Sequence, residues 1–198
     1  MKQVNLYIYK VINKNNEIAN FFSSYRINKL KTIKNEKLYQ FNIEVEYLIK
    51  QSIEKYLNTK IDKLKFDLSK NNKPIWYDNK LNINISHSNN YLVVAIAEDN
   101  IGVDIEKINI KHQNIAKKIY DDNKYQKYFN DITQIIKDWT IIEAYLKYND
   151  LILTKDFKSL HINELKIEDL YYKSMQINDF IITVVMNDEF ETNITCLL

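Results

Sequence analysis

The sequence predicts an α+β protein built from two halves that meet near residue 100. Three observations support this prediction: strand-like alternation at the N-terminus, a long amphipathic helical stretch in the first half, and helical periodicity followed by apolar strands in the second. With 198 residues, 45% of them hydrophobic, the chain is long enough to bury a substantial core. We therefore expect one half over residues 1–100 and another over residues 101–198.

The first half alternates between the two kinds of regular structure. Strand segments are predicted where apolar and polar residues alternate, and the helix where apolar residues recur at every third or fourth position. Asparagine and the single proline indicate turns in a chain that has only one glycine. The predicted elements are a strand near 3–12, a helix over 36–57, a strand over 63–68, a turn at 71–74, and a hairpin with strands at 82–86 and 91–98 around Asn89 and Asn90.

The second half begins with a strand, continues with helices and returns to strands. The same two periodicities define its elements, with apolar runs far shorter than the ~20 residues of a transmembrane helix. The predicted elements are a strand over 101–106, helices over 112–120, 124–129 and 132–148, and strands over 165–172, 180–186 and 192–198.

Two carboxylates share one face of the strand over 101–106. Side chains alternate along a strand, so Asp104 and Glu106 point to the same side. Like charges this close repel unless a cation or a proton lies between them, and a hard divalent ion with oxygen ligands is the usual solution. The alternative is a solvated charged face.

The only glycine of the chain, Gly102, lies within the same strand. A glycine inside a strand permits a bulge or the close approach of another backbone or a ligand. The sequence leaves both interpretations open.

Three further residues carry candidate chemistry. Glu143 and Lys147 are spaced i, i+4 on a predicted helix, which is typical of a surface ion pair but also suits a metal ligand followed by a phosphate contact. His87 stands between Ser86 and Ser88, where an ordinary strand histidine is the alternative. A Ser-His-Asp hydrolase made of Ser86, His87 and Asp104 is excluded, because adjacent strand residues point to opposite faces.

Three segments in this order resemble the 4'-phosphopantetheinyl transferases of the surfactin-synthetase-activating type. That family carries the blocks N-[IV]-S-H-S, [IV]-G-[IV]-D-[IV]-E and W-[ST]-x-K-E-[AS]-x-x-K. The matching segments here are residues 84–88, 101–106 and 139–147. Upstream, Asn72-Lys73-Pro74 is similar to the family's G-K-P loop.

The resemblance implies two pseudo-symmetric α/β halves with the active site in the cleft between them. It implies that Asp104, Glu106 and Glu143 bind Mg²⁺, and that Glu143 and Lys147 are catalytic, Glu143 as general base. Coenzyme A is implied as co-substrate and an acyl or peptidyl carrier protein as partner. The residues that the resemblance implies for coenzyme A binding are Lys73, Ser86, His87 and Lys147, with Arg26 and Lys29 placed by counting back from Lys73.

One position departs from the third block. Ile142 stands where the family has lysine before the glutamate. This substitution either weakens a contact to phosphate or carrier protein, or places an apolar residue in the core. It also motivates an alternative function, a catalytically impaired protein of this fold that binds coenzyme A or a carrier.

Charge distribution motivates a second alternative, a nucleic-acid-binding module. Residues 1–80 hold 16 Lys and Arg against 8 Asp and Glu, whereas residues 81–198 hold 12 against 18. The acidic second half and the lack of an RNA-binding or zinc motif argue against nucleic acid as a partner. The single cysteine, Cys196, excludes an intrachain disulfide, and the N-terminus does not have the pattern of a signal peptide. We expect a cytoplasmic monomer with no membrane association.

Overall fold

The structure is a computed structural model that describes residues 1–12, 17–22, 24–64, 66–69, 73–76, 81–152, 161–165 and 169–197. Strands and helices are numbered in chain order. The strands are β1 Lys2–Lys10, β2 Phe66–Leu68, β3 Pro74–Trp76, β4 Asn82–Ser88, β5 Tyr91–Ala97, β6 Gly102–Lys107, β7 Tyr171–Ile177, β8 Phe180–Met186 and β9 Phe190–Leu197. The helices are α1 Ser24–Lys31, α2 Glu36–Leu57, α3 Ala116–Ile119, α4 Asp122–Tyr128 and α5 Ile132–Tyr148, with 3₁₀ turns at Ile110–Ile115 and Ile162–Glu164.

Two main sheets form the centre of the molecule. A four-stranded sheet has the order β4-β5-β1-β9, and a three-stranded sheet has the order β6-β8-β7. The strand β9 runs parallel to β1, while the other pairs are antiparallel. Strands β2 and β3 form a separate two-stranded sheet. The structure confirms the predicted mixture of helices and strands.

The alternation of side chains along the strands separates the hydrophobic core into layers. One face of the four-stranded sheet, with Tyr9 and Val94, packs against α2 residues such as Ile49. Its other face packs against the three-stranded sheet, where Val103 and Ile105 of β6 are fully or almost fully buried. Helix α5 covers the opposite side of that sheet. The polar residues of β6 are thereby directed towards α5.

Several predicted elements are confirmed, and the residues at their ends explain why. Helix α2 has the predicted bounds, with the Asn35 side chain capping its start and Asn58 in a left-handed conformation at its end. Helix α5 and strand β8 also have the predicted bounds. Asn89 has a φ of 54° in the β4-β5 turn, so asparagine takes the conformation that glycine usually supplies.

Three boundaries were wrong. The helix over 112–120 is a 3₁₀ turn followed by the four-residue α3, which ends where Tyr120 becomes extended. Of the predicted strand over 165–172, Leu165 lies in a turn in which its N–H donates to the Ile162 carbonyl, residues 166–168 lie outside the described residues, and β7 begins at Tyr171. Of the predicted strand over 63–68, residues 63 and 64 are outside any strand, residue 65 is not described, and residues 66–68 form β2.

Two further predictions concern the turn before β3 and the boundary between the halves. The turn at 71–74 lies largely outside the described residues, and Pro74 begins β3. The boundary near residue 100 stays a prediction, although β9 joins the sheet that contains β1. In the described part of the chain, every helix is too short or too polar to cross a membrane.

Candidate metal and phosphate site

A cavity of about 330 Å³ lies where β4, β6 and α5 meet. Six of the side chains that the sequence marked as candidates face this space together. The lining residues are Ile85, Ser86, His87, Asp104, Glu106, Trp139, Glu143 and Lys147. All three blocks of the sequence pattern therefore contribute to one site.

Close packing between β6 and α5 brings the two acidic segments together. A Cβ on Gly102 would collide with the backbone carbonyl oxygen of Ala144 and lie 2.7 Å from the backbone nitrogen of Tyr148. Of the two interpretations of Gly102, the close approach of another backbone is correct. The absence of a side chain at this position lets Glu143 and Lys147 lie opposite Asp104 and Glu106.

Lys147 is held by groups from both neighbouring strands. Its Nζ donates hydrogen bonds to Asp104 Oδ1 at 2.7 Å and to Ser86 Oγ at 2.8 Å. The Ser86 hydroxyl itself donates to Asp104 Oδ1 at 2.7 Å. The ion pair of Lys147 is thus formed across the site with Asp104, and the alternative of a Glu143–Lys147 surface pair does not describe it.

Electrostatic repulsion is concentrated at Glu143. Burial, followed by the nearby Asp104, raises the pKa of Glu143 to about 7, although Lys147 opposes the shift. Burial also raises the pKa of Glu106, against a hydrogen bond from Ser88. Burial is the main cause of both shifts, and the neighbouring Asp104 carboxylate adds to each of them.

The donor set fits a hard cation in its chemistry. Asp104 Oδ2 is buried and makes no hydrogen bond, so a carboxylate oxygen is left without a partner at the site. In the arrangement described, however, no three acidic, histidine or cysteine side chains among the described residues are spaced to hold a metal ion by themselves. Lys147 already takes one oxygen of Asp104. A magnesium site here would need phosphate or water oxygens to complete it, which is the usual situation for Mg²⁺.

His87 stands at the rim of the same cavity. Its ring meets the ring of Phe41 from α2 edge to face, with centroids 5.3 Å apart. Burial of the ring, followed by the nearby Lys147 ammonium, lowers the pKa of His87. The neutral imidazole is therefore favoured, and it can donate one hydrogen bond to a ligand.

Lys73 lies against a different cavity, of about 450 Å³, lined in part by Trp76, Tyr148 and Asp150. Its Nζ donates to Asn100 Oδ1 at 2.9 Å and to the Ile101 carbonyl at 3.3 Å. Burial lowers the pKa of Lys73 to about 8. The structure thus places Lys73 beside the chain segment that enters β6, and apart from the residues that line the first cavity.

Arg26 and Lys29 lie in a third place, between α1 and α2. The Arg26 guanidinium pairs with Glu46 at 2.6 Å, and Glu46 is only 3% exposed. Lys29 lines the same small hollow. Counting back from Lys73 located a basic cluster, but it did not reveal this buried acidic partner.

Three features of the site were not assigned from the sequence or were left open. Asn84 and Ser88 are buried on the same face of β4 as Ser86, and their alternate spacing was the available evidence. Ile142 is fully buried in an apolar cluster with Ile119 and Leu146. The isoleucine that stands in place of the family's lysine is therefore a core residue.

Comparison with known proteins gives one informative match. The chain is 27% identical over 133 residues to 4'-phosphopantetheinyl transferase gsp from Aneurinibacillus migulanus. The match covers 65% of this chain and 56% of that protein, so the chain spans little more than half the length of the relative that it matches. No protein-family model matches the chain. The chain is therefore similar, over about two thirds of its length, to a protein named as a 4'-phosphopantetheinyl transferase.

Proposed function

We propose that this protein transfers 4'-phosphopantetheine from coenzyme A to a serine hydroxyl of an acyl or peptidyl carrier protein, as a transferase of the surfactin-synthetase-activating type. The observation that carries the proposal is the convergence of Asp104, Glu106, Glu143 and Lys147 on one cavity beside Ser86 and His87. Adenosine 3',5'-bisphosphate is the leaving product of this reaction.

Asp104, Glu106 and Glu143 are the residues that would hold Mg²⁺. When bound, the ion would neutralise charge on the pyrophosphate of coenzyme A during in-line transfer. The unpaired Asp104 Oδ2 and the raised pKa of Glu143 support a cation at this position.

Glu143 and Lys147 have distinct roles in the proposed chemistry. Glu143 takes the proton of the carrier serine, directly or through water, which makes the serine oxygen a better nucleophile. Lys147, fixed by Asp104 and Ser86, presents its ammonium to the phosphate oxygens where negative charge develops. The two act one helical turn apart on α5.

Five residues remain as proposed ligands of coenzyme A. Ser86 and His87 lie at the cavity and would contact its phosphates, while Lys73 would hold the adenosine end from the neighbouring cavity. Arg26 and Lys29 are proposed for the 3'-phosphate. Helix α2 lies next to both His87 and Arg26, because Phe41 contacts the His87 ring and the adjacent Asn42 lines the hollow at Arg26. The pseudo-symmetric two-half arrangement with a cleft belongs to the same proposal.

A binding-only protein of this fold is the second candidate function, and Ile142 was its motivation. Because Ile142 is buried in the core and does not line the cavity, that substitution removes no group from the site. A nucleic-acid-binding role has less support, since at least one basic residue of the first half, Arg26, is paired with a buried glutamate.

The decisive experiment incubates the protein with coenzyme A, Mg²⁺ and a panel of apo carrier proteins, and detects the phosphopantetheine adduct by mass spectrometry. We expect modification of at least one carrier, its loss in excess chelator, and its return with Mg²⁺ or Mn²⁺. Glu143→Gln should lower turnover about 100-fold or more with a smaller effect on coenzyme A binding. The exposed Glu189→Gln is the matched control and should behave as wild type.

Other results would contradict the proposal. Full activity in excess chelator would exclude the metal role of the carboxylates. Tight coenzyme A binding without modification of any carrier would favour the binding-only protein, and retention on nucleic acid that weakens with salt would favour the nucleic-acid binder.

A further inference from the structure

One face of β4 is polar although it is buried. Asn84, Ser86 and Ser88 alternate along this strand and are 3%, 7% and 7% exposed. Both β4 and β6 are edge strands of their sheets. Buried polar side chains require partners, and an edge strand has backbone groups that its own sheet does not satisfy. Here the buried polar side chains of β4 bond backbone N–H groups of β6.

Asn84 and Ser88 satisfy backbone N–H groups near both ends of β6. The Val103 N–H donates to Asn84 Oδ1 at 3.0 Å, and the Lys107 N–H donates to Ser88 Oγ at 3.1 Å. These side-chain contacts fix the position of β6 relative to β4 without a backbone ladder between them.

Ser88 has a second contact that reaches the acidic site. Its hydroxyl donates to Glu106 Oε2 at 2.7 Å while accepting from Lys107. Since a hydroxyl has a single proton, these two bonds fix its direction and therefore the direction of the Glu106 carboxylate. Ser86 has the same relation to Asp104.

We propose that Ser88 is a positioning residue, which holds Glu106 in the orientation that a divalent cation requires. The inference rests on the proposed function for the identity of the site. Groups that orient a metal ligand through a hydrogen bond change metal affinity by roughly 10- to 100-fold when removed. Ser88 itself does not line the cavity, so it would act on the cation through Glu106.

The test measures Mn²⁺ binding by calorimetry or electron paramagnetic resonance, with and without coenzyme A, on the full chain. Ser88→Ala should weaken Mn²⁺ binding roughly 10-fold or more, and Ser88→Cys, which keeps the size but has a weak donor, should behave similarly. Ser88→Thr retains the hydroxyl and should restore most of the affinity. Ser52→Ala is the matched control, because it removes a buried hydroxyl that bonds Tyr9 far from the site.

A double-mutant cycle with Glu106→Gln separates an effect of Ser88 on the position of Glu106 from an effect on the stability of the protein. If Ser88 acts through Glu106, Ser88→Ala should add little further loss of Mn²⁺ affinity in the Glu106→Gln background. The same loss in both backgrounds, or wild-type affinity in Ser88→Ala and Ser88→Cys, would overturn the inference and leave the proposed function intact. Absence of Mn²⁺ binding to the wild type, with or without coenzyme A, would overturn the proposed metal site and the inference with it.

Discussion

Two charged regions of this protein share an unusual feature but differ in what surrounds it. Asp104 in the cavity and Glu46 beside Arg26 each have a buried carboxylate oxygen without a hydrogen-bond partner. Asp104 faces a cavity of about 330 Å³, whereas the hollow at Glu46 has no free volume for a water molecule. An unpaired oxygen therefore indicates a ligand site only where there is room for the ligand.

The balance of charge in the two regions is also opposite. Three carboxylates share Lys147 at the cavity, and Arg26 and Lys29 both lie near the one carboxylate of Glu46. Negative charge is in excess in the first region, while in the second the cation nearest to Glu46 is already bound to it. The comparison suggests that the first region has room for a metal ion and phosphates, and that in the second the Arg26–Glu46 pair stabilises the contact between α1 and α2 in addition to the role proposed for Arg26 at the 3'-phosphate.

The largest expected effect comes from Gly102→Ala, which should destroy the convergence of charges at the cavity. The added methyl would meet backbone atoms of Ala144 and Tyr148, which cannot rotate away, so β6 and α5 must separate. We expect a loss of about 4 kcal/mol or more in the free energy of unfolding, together with loss of transferase activity. Urea unfolding and the carrier assay measure both. Adding Ala144→Gly should not rescue the variant, because the collision is with backbone; rescue would show that the contact is adjustable.

Ile142→Lys should come next, because it breaks the packing behind the acidic cavity without touching its lining. An ammonium without a partner would be buried among apolar residues, at a cost of about 3 to 4 kcal/mol. Thermal unfolding should show this loss, whereas Thr133→Lys at an exposed position of the same helix should change little. A stable, faster enzyme would instead assign position 142 to the binding of phosphate or carrier.

Arg26→Ala tests whether the second region is structural. Removing the guanidinium leaves the buried Glu46 charge without its ion-pair partner, so we expect a loss of about 3 kcal/mol in the free energy of unfolding. Adding Glu46→Leu should restore much of it, and the exposed Lys29→Ala should cost less than about 0.5 kcal/mol. Unchanged stability with weaker coenzyme A binding would show that Arg26 serves a ligand after all.

Lys73→Ala sharpens the contrast with Arg26, because the two bonds recorded for Lys73 Nζ go to neutral oxygens. We expect the KM for coenzyme A to rise about tenfold, the size of one charge-assisted contact, with kcat nearly unchanged. His87→Ala should act in the same direction. Both variants should affect desphospho-coenzyme A less, and equal losses on all donors would assign these residues to folding or chemistry.

The smallest expected effect is a pH dependence of the free energy of unfolding that arises from Glu46. Burial raises its pKa above 4.5, and Arg26 and Lys29 only partly oppose this. When the pKa of a carboxyl is higher in the folded than in the unfolded state, its contribution to the free energy of unfolding is complete below the unfolded-state pKa. That contribution is lost as the pH rises through the folded-state pKa. Glu46→Gln should therefore gain stability relative to wild type as the pH rises from about 4.5 through the raised folded-state pKa of Glu46. Urea unfolding across this range, with the exposed Glu189→Gln as control, checks it; a constant difference between Glu46→Gln and wild type would contradict it.

The sequence by itself determined the elements whose periodicity is strong and whose ends are chemically marked. Helices α2 and α5, the β4-β5 hairpin and β8 were predictable because apolar spacing and asparagine caps act locally. The alternation on β6 likewise placed Asp104 and Glu106 on one face. Weak or mixed periodicity did not predict the bounds at residues 112–120, where only the short α3 carries buried residues and the preceding 3₁₀ turn has none, or at residues 165–172, where Leu165 lies in a turn.

Only the tertiary structure decided which charges meet. The pairing of Lys147 with Asp104, of Ser88 with Glu106 and of Arg26 with Glu46 joins residues 43, 18 and 20 positions apart, and no local pattern encodes these contacts. The same holds for the burial of Ile142 and for the choice between the two roles of Gly102, since both depend on what packs against them. Local sequence fixes the direction in which a side chain points along its strand or helix, but its partner is set by the packing of sheets and helices from distant parts of the chain.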